Sequence, residues 1–163
     1  MHDVTTYPKT DGFTILPSLL KPKSIGYVGL RSAHFNDSPM IQPNFLSAEE
    51  DLKTLLSGAK KALEILKSEA FGPFRKQILS PADESDEGLA NHIRKSVETI
   101  YHPVGTCKMG NDPNSVVNDR LQVHGIEGLR VADASIMPEI VSGNTNAAVI
   151  MIGEKASDLI LNR

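Results

Sequence analysis

The spacing of apolar residues changes period along the chain, and each change predicts an element. Phe13–Leu20 is a short apolar stretch that stops at Pro22. In Ile25–Leu30, Ile25, Tyr27 and Gly29 fall on one face and Val28 and Leu30 on the other, which predicts a strand. Asn36-Asp-Ser-Pro39 is a turn cluster. Met40–Leu46 reads as a second extended segment, restricted by Pro43 to an edge or bulge. The period then becomes helical. Leu52, Leu55, Leu56, Ala59, Ala62, Leu63 and Leu66 predict a helix from about Ala48 to Ser68, closed off before Gly72-Pro73. Leu89, Ile93, Val97 and Ile100 predict a second helix ending near Tyr101. Leu121–His124 and Leu129–Ala132 read as short strands joined by Gly125-Ile-Glu-Gly128. A last helix, about Asn146–Leu161, is apolar over most of its surface and so expects burial on several sides. Strands, helices, short strands and a helix follow one another without βαβ alternation. The expectation is an α+β fold, an antiparallel sheet with flanking helices.

The bulk numbers narrow the function classes. The 163 residues suffice for one domain with a real core, and 1–163 is read as one, with 1–12 expected to be poorly ordered. A net charge of -3 without a Lys/Arg run leaves no footprint for nucleic acid or for an anionic membrane. No apolar run approaches the roughly 18–20 residues that span a bilayer. Met1–Thr10 carries no apolar core of a signal peptide. A single cysteine, Cys107, cannot form an internal disulfide, and the five histidines show no metal-ligand spacing, so no metal is expected.

Two islands could carry chemistry. The first is Tyr101-His-Pro-Val-Gly-Thr-Cys-Lys-Met-Gly110, where a histidine stands between a helix end and a stiff Pro/Gly loop. Imidazole is the default general base near neutral pH. The local pattern favours a plainer role for His102, resting on the negative end of the preceding helix. The second island is Val131–Asn146, with an acidic residue after a strand, a Pro/Gly loop, and Ser142-Gly-Asn-Thr145 leading into the last helix. A helix start offers unpaired N–H groups to a carbonyl-bearing ring or an anion. Asn144 or Thr145 alone would be read as an N-cap, yet four small or polar residues exceed what a cap requires.

At these islands the sequence resembles the glucose–methanol–choline (GMC) oxidoreductase family, and within it the insect glucose dehydrogenase-like branch. The resemblance is carried by Lys21-Pro-Lys-Ser24 with Gly26-Tyr27, by 101–110, by Gly128–Pro138 and by Val141–Ala147. It implies an FAD enzyme that oxidises the CH–OH group of an alcohol or sugar, with quinone or oxygen as the electron acceptor. It assigns His102 the hydroxyl proton and Asn144 the orientation of the substrate oxygen. It places Asp133-Ala134 against the FAD ribityl–diphosphate, Asn144-Thr145 against the flavin ring, and 131–163 in a segment that returns to the FAD domain. The family's N-terminal half, with its glycine-rich nucleotide site, has no counterpart here. The chain therefore reads as the C-terminal, catalytic-half fragment of a longer parent, inactive by itself, and its compartment is left open.

Three residues depart from the family's pattern. Ile25 stands in place of a frequent arginine, Asn118 in place of a common aspartate, and Glu139 in place of a small or hydroxyl residue. Glu139 is expected to face solvent. Two rival readings are a non-catalytic fragment serving as a binding module, and a flavin-containing lyase of the same family.

Overall fold

The computed structural model describes residues 11–162. Most of the segment 1–12, expected to be poorly ordered, lies outside the described residues. The described residues form two compact units. One holds the residues up to Ser18 together with Leu52–Ser96, and the other holds Leu19–Asp51 with Val97 onward.

In the second unit β1 (Tyr27–Gly29) pairs antiparallel with β2 (Met40–Gln42), Tyr27 opposite Gln42 and Gly29 opposite Met40. Both strands fall within the extended segments expected at Ile25–Leu30 and Met40–Leu46. β2 ends one residue before Pro43, which has no N–H to continue a ladder. Gly26 permits the close approach of the two chains, since a Cβ there would lie 2.2 Å from the Gln42 carbonyl oxygen. The expected strands at Leu121–His124 and Leu129–Ala132 are reduced to single bridges, Val117 to Val123 and Gln122 to Arg130. They are held by Val123 N–H to Leu129 O and Val131 N–H to Leu121 O. Asn118 shapes the entry to this hairpin, accepting from the Arg120 and Gln122 N–H groups at 2.9 and 3.0 Å.

Helix α1 (Glu49–Lys67) matches its expected span within a residue at each end. Glu49, Glu50 and Asp51 in its first turn and Lys67 in its last oppose the helix dipole favourably. Asp51 is buried, at 3% exposure, and accepts the Lys23 and Ser24 backbone N–H groups at 2.8 Å each. It thereby fastens the residues before β1 to the start of α1. Burial pushes its carboxyl up, but the N–H of Lys23 and the hydroxyl and N–H of Ser24 outweigh that and hold it below the usual range.

In the first unit α2 (Asp86–Ser96) buries Leu89 and Ile93 on one face. The Ser85 hydroxyl accepts the Gly88 N–H and caps the helix start. The apolar period predicted a helix continuing to about Tyr101, but α2 stops at Ser96. The Ser96 hydroxyl donates back to the His92 carbonyl. Two β-branched residues and an exposed Ile100 follow, and Tyr101 turns left-handed at φ 65°. His102 precedes Pro103, whose ring disfavours helical backbone at the preceding residue.

Helix α3 (Asn146–Leu161) matches its expected bounds. Its buried face is Ile152 and Ala156, flanked by half-buried Ala148, Val149 and Leu159. With Val117, Leu121, Ile136 and Met137 these form the core of the second unit. The expectation of burial on several sides is met on one side only. Ile150, Met151, Ile160 and Leu161 are exposed.

Candidate active site

The core seats the two sequence islands side by side. The Cys107 N–H donates to the Ser135 carbonyl at 3.0 Å and the Met109 N–H to the Ile136 carbonyl at 2.7 Å. The Gly110 N–H donates to Val117 O, which extends the seam into the core. The rest of the first loop is set by its own chemistry. Gly105 has φ 86°, a conformation costly for residues with a Cβ. The Ser115 hydroxyl, the Lys108 ammonium and the Asn114 N–H gather on Asp112 and hold its carboxyl down at about 2. His124, a residue of no assigned chemistry, ties the hairpin to this loop through Nε2 and the Gly110 carbonyl, 3.0 Å apart.

His102 leads into this braced loop. It lies six residues beyond the end of α2, so the reading as a cap of that helix is overturned. Its half-buried ring contacts the start of α3, with Nδ1 3.1 Å from the Thr145 hydroxyl. Thr145 occupies the N-cap position of α3, yet its side chain makes no capping bond. That hydroxyl is buried and directed to the histidine. Sequence reasoning named both residues but not their contact. They are 43 residues apart, and no local pattern carries such a pairing.

Asn144 is exposed and directly precedes Thr145, so the backbone brings the carboxamide-bearing residue next to the histidine's partner. Unlike α1 and α2, α3 has no acidic residue in its first turn. Its first N–H groups have no intrahelical acceptor, and the positive end of the dipole is left for something outside the helix. Asp133 opens the short 3-10 turn Ala134–Ile136, and its Oδ1 accepts the Ser135 N–H at 2.8 Å. The Ser135 hydroxyl and N–H hold the Asp133 carboxyl below the usual range. Glu139 is exposed, as expected. Among the described residues no group of three or more His, Cys, Asp or Glu could hold a metal ion. No described helix is long and apolar enough to cross a membrane.

The start of α3 thus carries an exposed asparagine directly before the threonine that the histidine meets. The chain belongs to the GMC oxidoreductase family, whose C-terminal model matches residues 22–153. It is similar to an alcohol dehydrogenase [acceptor] of Pseudomonas putida, 48% identical over 154 residues. That alignment covers 93% of this chain and 28% of the relative. It is similar to the choline oxidase of Arthrobacter globiformis, 44% identical over 161 residues, with 94% of this chain and 30% of the relative covered. Among solved structures it resembles pyridoxine 4-oxidase from Mesorbium loti, with a TM-score of 0.81 and 30% identity over 88% of this chain and 28% of that one. The chain thus spans less than a third of the length of these relatives.

Proposed function

We propose that the chain is the C-terminal portion of an FAD-dependent oxidoreductase that oxidises an alcohol CH–OH group, with His102 as the base for the hydroxyl proton. The observation that carries this reading is the His102–Thr145 contact at 3.1 Å. It places the ring against the start of α3 and occupies Nδ1, so that Nε2 is the nitrogen left to meet a substrate.

The residues present fit a flavin by the chemistry of their donors. The start of α3 offers unpaired backbone N–H groups, the exposed carboxamide of Asn144 and no carboxylate in the first turn. Asn144 and Thr145 would lie against the ring, and Ala134 with Asp133 along the ribityl–diphosphate. Asp133 carries a negative charge and a turn of its own to hold, so a diphosphate would meet backbone N–H groups there rather than its carboxylate. Hydride acceptance is the chemistry a bound FAD supplies.

The protein's residues do the rest. His102 Nε2 takes the hydroxyl proton, which raises electron density on the oxygen and eases departure of hydride from carbon. Asn144 cannot act as a base, and its carboxamide orients the alcohol by hydrogen bonding. The first turn of α3 favours negative charge placed against it.

The exposed apolar face of α3 (Ile150, Met151, Ile160, Leu161) supports a covering by the remainder of the parent chain, with 131–163 returning to the FAD portion. Alcohol is preferred to sugar as the substrate, because the relatives named above act by name on an alcohol or on choline. The insect glucose dehydrogenase-like branch rests on the motif resemblance alone. Oxygen or a quinone would take the electrons onward. The test is steady-state oxidation of a panel of alcohols with a dye acceptor, using the full-length FAD-bound protein. His102→Ala should lower turnover by about two orders of magnitude or more. Unchanged turnover would remove the assignment. Loss of the alcohol without net dye reduction would favour the lyase reading.

A further inference from the structure

We infer that Thr145 is a positioning residue that sets the proton tautomer of His102, an inference resting on the reading of His102 as the base. A neutral imidazole carries its proton on one nitrogen, and the hydrogen bond made by the other nitrogen decides which. Only the tautomer with hydrogen on Nδ1 leaves a lone pair on Nε2 for a substrate proton. The opposite arrangement, Thr145 donating to Nδ1, puts hydrogen on Nε2 and makes His102 a donor there.

Three features make this contact the one that sets the tautomer, and acceptance by Thr145 is the direction that the reading of His102 as a base requires. At 3.1 Å, Nδ1 and the hydroxyl oxygen are at hydrogen-bond distance. The Thr145 oxygen makes no capping bond to α3, so its lone pairs are not committed to the helix N–H groups. Thr145 is buried, at 8% exposure, which limits competition from water. The contact also survives turnover. When Nε2 takes a proton, the imidazolium still donates from Nδ1 to the same oxygen, so no partner must rearrange. Thr145 therefore acts through His102 and need not touch the substrate.

The experiment uses the full-length FAD-bound protein, its histidines labelled with nitrogen-15, and three variants: Thr145→Val, Thr145→Ser and His102→Ala. Valine matches threonine in shape but lacks the hydroxyl, and serine restores it. Two-bond proton–nitrogen correlations, with His102→Ala identifying the resonance, report the tautomer independently of activity. The wild type should show the Nδ1–H form. Thr145→Val should populate the Nε2–H form and slow anaerobic flavin reduction about 10- to 100-fold, with KM for the alcohol changed less than kcat. Thr145→Ser should recover both signals. A Thr145→Val protein with the wild-type tautomer overturns the inference, whether or not its rate falls. If His102→Ala reduces its flavin normally, the underlying functional reading fails instead, and the tautomer spectra of the threonine variants separate the two failures.

Discussion

The Met109 N–H donates to the Ile136 carbonyl across 2.7 Å, and this bond joins the loop that carries His102 to the loop that leads into α3. The Ile136 side chain lies beneath it, 2% exposed, among Val117, Leu121, Met137, Ile152 and Ala156. The core is therefore the scaffold of the site, because it fixes the spacing of the two loops.

Ile136→Ala should cost about 2–5 kcal/mol, the loss of a buried side chain plus the cavity it leaves. Thermal unfolding of the full-length protein checks this, with Val141→Ala as the comparison. Val141 is exposed, and its truncation should stay within about 0.5 kcal/mol. Equal effects at the two positions would contradict this account of the core.

Asp51 gives a pH prediction. Its folded carboxyl lies below the ordinary value of 3.8. Its stabilising contribution is thus fully present above about 4 and is lost as pH falls through the lower folded value. Asp51→Ala should cost about 1–3 kcal/mol at neutral pH, since the Lys23 and Ser24 N–H groups lose their acceptor. The difference from wild type should shrink below pH 4. An acid-unfolding series on both proteins measures it, and a difference constant with pH would contradict the assignment.

What could be read from the sequence divides along physical lines. The spans of α1 and α3 and the extended character of β1 and β2 follow from local periodicity, and Pro43 marks the end of β2; which strand pairs with which does not. The end of α2 was not legible. Val97 and Ile100 keep the helical period, but the backbone before His102-Pro103 leaves the helix, and Tyr101 turns left-handed. The strands at Leu121–His124 and Leu129–Ala132 are present as single bridges, since Leu121 itself has φ 62° and breaks the extended run. The islands stand out in composition, but the roles of His102, Asn144, Asp133 and Ala134 come from the family resemblance, since the local pattern alone favours His102 as a helix cap. The contact of His102 with Thr145 was not legible, because it depends on the core placing two distant segments together.

Asn144→Ala should lower kcat/KM for the alcohol by about 10- to 100-fold, the scale of a lost orienting contact. Folding should be little affected, because Asn144 is exposed and the N-cap position belongs to Thr145. Steady-state kinetics with a thermal melt on the same sample checks both halves. Unaltered kcat/KM would leave Asn144 without the proposed role.

The central claim is that the imidazole at 102 removes the substrate proton. Rapid mixing of the oxidised full-length protein with excess alcohol under anaerobic conditions follows bleaching of the flavin in a single turnover. His102→Ala should bleach at least about 100-fold more slowly than wild type at saturating alcohol. Bleaching at the wild-type rate would contradict the account.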